Sequence, residues 1–349
     1  MMLKSSVSVV LTVFNKSQFI RETTESVLSQ TFRNFELIIV DDASTDNSIS
    51  QIDDLLDSRI QLYSLDVNMG VEFARNFGAK LAKSNFLVFL DGDDLFAPTK
   101  LEKQVQLFES RPELAICGTW ALHVSESGHN LGDFRPPVHN DQIKYSLHFE
   151  NPFINSSVMV RRELFESADG FLEGMDKGFA EDYELWLRLT ELGQAHNLPS
   201  MLTVYRDSKN GRSQNHRSNP TESSKEIRRK YLQTKLGSSY DRNLINNLLN
   251  IMDHTIATPR ISLSDIRMVN AYYSEIENRI SENLDIKQIK YQKHHYRTRL
   301  FTGMIFHAAP IFMIEKYSSF KSFIKRSNLL RRLKTRSSNL ARALSGQRL

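Results

Sequence analysis

The segment Phe86-Leu87-Val88-Phe89-Leu90-Asp91-Gly92-Asp93-Asp94 sets five consecutive apolar residues directly against three carboxylates in four positions. An unbroken apolar run of this length predicts a strand buried on both faces, the kind found inside a parallel sheet. Reading outward, Val7 to Val13 is a second such run. Phe35 to Val40 is a third, closed by Asp41-Asp42, and Ile60 to Leu65 is a fourth candidate. Between them lie segments with helical spacing. Ser17 to Gln30 puts Phe19, Ile20, Val27 and Leu28 on one face, Asp46 to Leu56 is predicted helical, and Glu72 to Lys83 places Phe73, Phe77 and Leu81 at i, i+4 and i+8. Strands alternating with helices at these lengths predict an α/β fold, a doubly wound and mostly parallel sheet. Ligands of such sheets bind beyond the carboxyl ends of the strands, where both acidic clusters stand.

The middle of the chain, from Pro112 to Pro220, is mixed. Leu114 to Leu122, Ser157 to Val160 and Met201 to Tyr205 are strand candidates, and Glu181 to Leu192 is a helix with Leu185, Leu189 and Leu192 on one face. Beyond Glu222 the pattern is helical and polar, with a break at Pro259. The organisation read from this is 1–111 and 112–220 as two halves of one domain, followed by a helical extension over 221–349. The 349 residues include a single cysteine, Cys117, so no internal disulfide can form, which fits a reducing cytosol. No apolar run reaches the length of a membrane-spanning helix, and Met1 to Ser6 is too short and polar for a signal peptide. The net charge of +4 conceals an asymmetry. Ten basic residues and no acidic one fall between Lys316 and Leu349, so the body is mildly acidic and the tail strongly basic.

Three carboxylates in four residues raise one another's pKa, a cost that a hard divalent cation removes. Oxygen-only donors select Mg²⁺ or Mn²⁺, with water and phosphate oxygens completing the shell. Gly92 is read as the tight turn that lets Asp91 and Asp93 address one point. The competing reading is a solvated acidic turn with Asp94 capping the next helix.

The ordered set carries more than any one motif. Val7 to Asn15, Ser26 to Thr31 and Phe35 to Asp46 are followed by Asn68-Met69-Gly70, Ala74-Arg75-Asn76, Phe89 to Asp94 and Glu181 to Leu189. Together they resemble family 2 glycosyltransferases with the GT-A fold, of the type that builds bacterial cell-surface polysaccharides, over roughly residues 5–206. The resemblance implies that Thr12 and Phe14 contact the nucleotide base and that Asp42 accepts from the base N–H, usually of uracil. It implies that Arg75 steadies the acidic cluster or the diphosphate, that Asp91 and Asp93 form the Asp-x-Asp motif with Asp93 the direct metal ligand, and that Asp182 is the catalytic base with Glu181 beside it. Phe14 departs from the family's usual Tyr, which keeps ring stacking but loses the hydroxyl. His216 follows Tyr205-Arg206 at longer than the usual spacing and is a weak candidate for a phosphate- or metal-side contact.

The activity so implied is inverting transfer of a sugar from a nucleotide-sugar, a UDP-sugar above all, to a hydroxyl of a glycan or lipid-linked glycan. Alternatives are a non-catalytic binding or scaffold protein of the same fold and, further off, a sugar nucleotidyltransferase. The latter would carry a Gly-rich phosphate loop where Val13-Phe14-Asn15-Lys16 stands. A dinucleotide-binding Gly-x-Gly-x-x-Gly is missing there too. The acidic body and the lack of a nucleic-acid motif argue against a nucleic-acid partner. Leu300 to Ile314 is apolar but too short to span a bilayer, and with the basic tail it has the composition of a helix lying on an anionic membrane surface at the inner face of the cell membrane. The alternatives for residues 300–349 are packing on the catalytic domain or a contact within a homo-oligomer. Neither a Gln-x-x-Arg-Trp motif nor a set of membrane helices is present, so single-sugar addition is expected rather than polymerisation.

Overall fold

The computed structural model describes residues 7–174, 180–208, 222–236, 242–253 and 263–312. In chain order the elements are β1 (Val7–Val13), α1 (Ile20–Leu28), β2 (Phe35–Asp41), β3 (Ile60–Ser64), α2 (Val71–Leu81), β4 (Phe86–Asp91), β5 (Leu95–Phe96), α3 (Lys100–Ser110), β6 (Leu114–Ser125), β7 (Asn130–Phe134), α4 (Asn140–Ser146), β8 (Met159–Arg161), α5 (Arg162–Ser167), α6 (Glu181–Leu192) and β9 (Gln194–Asp207). The extension adds α7 (Glu222–Leu236), α8 (Arg242–Met252), α9 (Leu263–Ser281) and α10 (Ile286–Phe312).

Among the described residues the nine strands form one sheet in the order β3-β2-β1-β4-β8-β6-β9-β5, with β7 on the outer part of β6. The four predicted apolar strands, β3, β2, β1 and β4, are mutually parallel. Antiparallel pairs enter at β8, which lies between β4 and β6, and at β5 on β9. Alternation along the strands divides the core. Val10, Ile38, Val40, Leu87 and Phe89 face one side with Trp186 and Leu189 of α6, while Val9, Leu11, Leu37, Ile39 and Val88 face the other with Leu101, Val105 and Phe108 of α3. Both faces are covered, so β1, β2 and β4 need no polar alternation.

Three expectations need correction. Asp46 to Leu56 is not an α-helix but a short 3₁₀ turn at Ile49–Gln51. Asp46 accepts from the backbone N–H of Ser17 (3.0 Å) and of Ser48 (2.9 Å), and Asn15 Oδ1 accepts from that of Thr45 (2.8 Å). Side chains that bond the local backbone in this way compete with helix formation. The strand read as Met201 to Tyr205 is the second half of the longer β9. The helix anticipated directly after Asp94 is α3, which begins only at Lys100 and whose apolar face covers β4 and β6.

The helices α7 to α10 bury Leu232, Ile245, Leu248, Leu249, Tyr273, Ile276, Ile289 and Tyr296 around Tyr145 and Phe149, which come from the 112–220 half. Leu300 and Met304 lie inside this core at 2% and 5% exposure, so that part of the apolar stretch packs on the protein and not on lipid. No helix among the described residues is long and apolar enough to cross a membrane. The basic tail, Lys316 to Leu349, lies outside the described residues.

Candidate active site

The carboxyl ends of β1, β2 and β4 converge. Thr12 pairs in register with Val40 on one side and Asp91 on the other. Thr12 is buried, whereas Phe14, just past the strand end, is 44% exposed and offers its ring to solvent. The Asp42 N–H donates to Val13 O (2.8 Å), which ties the end of β2 to that of β1. The Asp42 carboxylate accepts the backbone N–H of Met69 (2.7 Å) on Oδ1 and that of Gly70 (3.0 Å) on Oδ2. Asp42 therefore also shapes the loop before α2, where Gly70 has φ +93°, a conformation open to glycine at little cost.

At the end of β4 the acids have different partners. Asp91 Oδ1 accepts from Arg75 Nη2 (2.7 Å) and Asn155 Nδ2 (3.1 Å), and its N–H donates to Ser156 Oγ (3.2 Å). Asp93 Oδ2 accepts from Lys16 Nζ (2.5 Å) and Ser208 Oγ (2.7 Å). Asp94 is not a helix cap: it is buried, its Oδ1 accepts the backbone N–H of Arg206 (2.8 Å), and α3 begins only at Lys100. Burial, then the Asp93 and Asp91 charges, push its pKa well above the usual carboxylate range. Gly92 has no left-handed φ. Its place is dictated by crowding, since a Cβ there would stand 3.1 Å from Lys16 Cγ and 3.2 Å from Thr12 O.

The second acidic pair opens α6. Glu181 is buried and accepts from Arg75 Nη1 at 2.9 Å. Burial opposes the Arg75 charge, but the Asp91 and Glu181 carboxylates outweigh it and raise the guanidinium's pKa. Half-buried Asp182 accepts its neighbour Tyr183's N–H (2.6 Å) on Oδ1 and Asn151 Nδ2 (3.3 Å) on Oδ2. Burial and the adjacent Glu181 charge push Asp182 up to about 7, with Arg75 pulling the other way. Arg75 thus joins the acids after β4 to the acids of α6, and Asn151 and Asn155 reach the two groups from one loop.

Among the described residues no three or more His, Cys, Asp or Glu side chains gather into a metal cage. The donors present are carboxylate oxygens. Asp91 is one-third exposed, and Asp93 already draws a cation to its Oδ2. That set fits Mg²⁺ or Mn²⁺ held by one or two protein carboxylates, with phosphate and water as the other ligands. His216 lies outside the described residues. Lys16 and Ser208 were not singled out from the sequence, because their partner Asp93 is 77 and 115 residues away and no periodicity signals them.

The family model for glycosyl transferase family 2 matches residues 8–168. The β-1,3-glucosyltransferase WfaP of Escherichia coli, which acts from UDP-Glc on α-D-GlcNAc-diphosphoundecaprenol, is 30% identical over 203 residues, 57% of this chain and 76% of that one. This chain belongs to glycosyl transferase family 2. It is a glycosyltransferase, and the donor named for WfaP is a nucleotide-sugar. An uncharacterized glycosyltransferase of Haemophilus influenzae is 29% identical over 256 residues, covering 69% of this chain and 78% of its own. Other relatives serve bacterial polysaccharide synthesis, such as the O-antigen glycosyltransferase WbnJ of Escherichia coli, 29% identical over 52% of this chain and 71% of its own. In structure the chain is similar to Staphylococcus aureus TarS 1–349 in complex with UDP-GlcNAc. The TM-score is 0.57 over 89% of this chain and 93% of that one, at 17% identity, a likeness of the GT-A fold.

Proposed function

We propose that this glycosyltransferase transfers one sugar from a UDP-sugar to a hydroxyl of a lipid-linked glycan, with inversion at the anomeric carbon. The observation that supports the reading is the Arg75 bridge, 2.7 Å to Asp91 and 2.9 Å to Glu181, which joins two sets of carboxylates at the carboxyl ends of the strands. The donor and acceptor named for WfaP support the choice of substrates.

In this reading the Phe14 ring stacks on the base. Asp42 uses a remaining lone pair for the base N–H while its backbone bonds hold it in place. Asp91 and Asp93 would hold Mg²⁺ or Mn²⁺. When bound, the cation supplies Lewis-acid stabilisation of charge on the departing diphosphate. Asp182 accepts the proton of the acceptor hydroxyl as that oxygen attacks the anomeric carbon. The old carbon–oxygen bond breaks with its electron pair passing to the nucleoside diphosphate, so an α-linked donor gives a β-linked product. A pKa of about 7 leaves Asp182 deprotonated in a useful fraction and still basic enough to take the proton. The basic tail, Lys316 to Leu349, brings the enzyme to an anionic membrane surface where a lipid-linked acceptor resides.

The test is a screen of nucleotide-sugars for turnover and thermal stabilisation, with Mn²⁺, Mg²⁺ and EDTA arms. The reading expects a UDP-sugar to be turned over with either metal and not with EDTA. Metal-dependent binding of the nucleotide-sugar with no transfer or hydrolysis would favour a non-catalytic protein of the same fold, and no binding at all would remove the reading.

A further inference from the structure

Among the described residues, Lys16 is the cation nearest the Asp93 carboxylate. Its ammonium stands 2.5 Å from Asp93 Oδ2 and 3.3 Å from Ser208 Oγ, while Ser208 itself donates to the same carboxylate oxygen at 2.7 Å. The Lys16 backbone is pinned. Its N–H donates to Ser48 Oγ (2.7 Å), and its carbonyl accepts the N–H groups of Phe19 and Ile20 (2.9 Å each) at the start of α1. Asn15 before it holds φ +53° and is tied through Oδ1 to the Thr45 N–H. Only the side chain is free to move, and its stem runs along Gly92, where any Cβ would press on Lys16 Cγ.

Among the described residues, Arg75 and Arg206, the other cations at the acidic cluster, are committed elsewhere. Arg75 is spent on two carboxylates. Arg206 is spent on Asp93 O (3.0 Å), Glu126 O (3.2 Å) and the Glu22 carboxylate (2.8 Å). Lys16 holds one carboxylate and one hydroxyl, with side-chain exposures of 19% for itself and 11% for Asp93. An ammonium on a flexible four-carbon stem reorients far more readily than a forked guanidinium.

We propose that Lys16 is a resident counter-cation of Asp93 that exchanges between that carboxylate and the donor's diphosphate. In the free enzyme it holds the Asp93 carboxylate oriented. When donor and divalent cation arrive, the ammonium gives up Oδ2, since two cations cannot share one lone-pair direction at contact distance, and pairs with the phosphate oxygens that enter beside it. This rests on the diphosphate-site reading above and adds a residue to it.

The experiment compares wild type with Lys16→Met and Lys16→Arg in two binding measurements. Mn²⁺ affinity without nucleotide is read from the free-Mn²⁺ paramagnetic resonance signal, and UDP affinity at saturating Mn²⁺ by titration calorimetry. Circular dichroism checks the fold of each variant. The proposal expects Lys16→Met to bind bare Mn²⁺ several-fold tighter, because the competing charge is gone, and UDP about tenfold weaker, because a phosphate partner is gone. Lys16→Arg regains much of the UDP affinity. Opposite signs are the signature, since a purely structural ion pair would move both affinities downward. Both affinities unchanged, or both weakened, overturns the proposal while leaving the site reading intact. Absence of Mn²⁺-dependent UDP binding in wild type overturns the site reading itself, and the proposal with it.

Discussion

Arg75 on α2 donates to Glu181 on α6 at 2.9 Å across 106 residues of chain, and the same guanidinium donates to Asp91 at 2.7 Å. With Arg75 5% exposed and Glu181 9% exposed at the side chain, the pair is shielded from solvent. Removing one member of such a pair leaves an uncompensated buried charge and costs about 3–5 kcal/mol. Arg75→Met is therefore expected to lower the denaturation midpoint and to cut kcat/KM at least about a hundredfold. Arg75→Lys, which has one nitrogen instead of a fork, recovers stability better than it recovers rate. Chemical denaturation and steady-state kinetics on the two variants check this.

The proposed role of Asp182 as general base sets a pH dependence. A general base works deprotonated, so with a pKa of about 7 the rate rises with pH up to that point and levels above it. The stability sign is opposite. The folded-state pKa lies above the ordinary carboxylate value, so the native state binds the proton more tightly than the unfolded chain. The contribution is fully present below the unfolded value of 3.8 and is lost as pH rises through about 7. Asp182→Asn, which cannot ionise, is expected to raise the melting temperature relative to wild type at pH 8 and to leave it nearly level at pH 4. Melting curves at the two pH values give the answer.

Asn151 is positioned to tune the proposed base. Its amide donates to Asp182 Oδ2 at 3.3 Å, a bond that favours the carboxylate form. Asn151→Ala should move the acidic limb of the pH–rate profile upward by a few tenths of a unit (a bond this long is worth about 0.5–1 kcal/mol) while leaving UDP affinity unchanged. The loop has its own support. Arg228 donates to Phe149 O (2.9 Å) and pairs with Asp253 (2.6 Å), and Tyr296 and Arg299 bond to Glu150 (2.8 and 2.7 Å). The helical extension thus holds the residues immediately before Asn151.

Lys100 carries a cost away from the site. It is fully buried, its Nζ donates to Gln104 Oε1 (2.9 Å) and lies 4.1 Å from the centre of the Phe96 ring. Burial lowers its pKa to about 7, with Cys117 opposing weakly. Lys100→Met keeps the volume and removes the charge, at the expense of one acceptor left without its donor. The balance is expected to stabilise the protein by about 1–2 kcal/mol at pH 7, read as a higher urea midpoint with unchanged slope.

The parallel half of the fold was legible because Val7–Val13, Phe35–Asp41 and Phe86–Asp91 are buried on both faces, and burial of that kind writes itself as unbroken apolar runs. Glu181–Leu192 was legible because its first turn is acidic and its leucines recur at helical spacing. The region after Asp42 was misread, since the bonds of Asp46 and Asn15 to nearby backbone decide it and composition does not report them. In the site, the carboxylates stood out as motif residues. Lys16 and Ser208 did not, because their role is set by contacts across the sheet. The extension's packing was hidden too. Tyr145 and Phe149 join its core from the middle of the chain, a long-range contact with no local signature.

The proposed division of labour gives Asp182 the acceptor hydroxyl and the Asp91–Asp93 end the donor. The most direct test measures transfer rate and Mn²⁺-dependent UDP affinity side by side for wild type and Asp182→Asn. The account predicts at least about a hundredfold loss of kcat for the variant, with UDP affinity unchanged. Near-normal turnover by folded Asp182→Asn would contradict it.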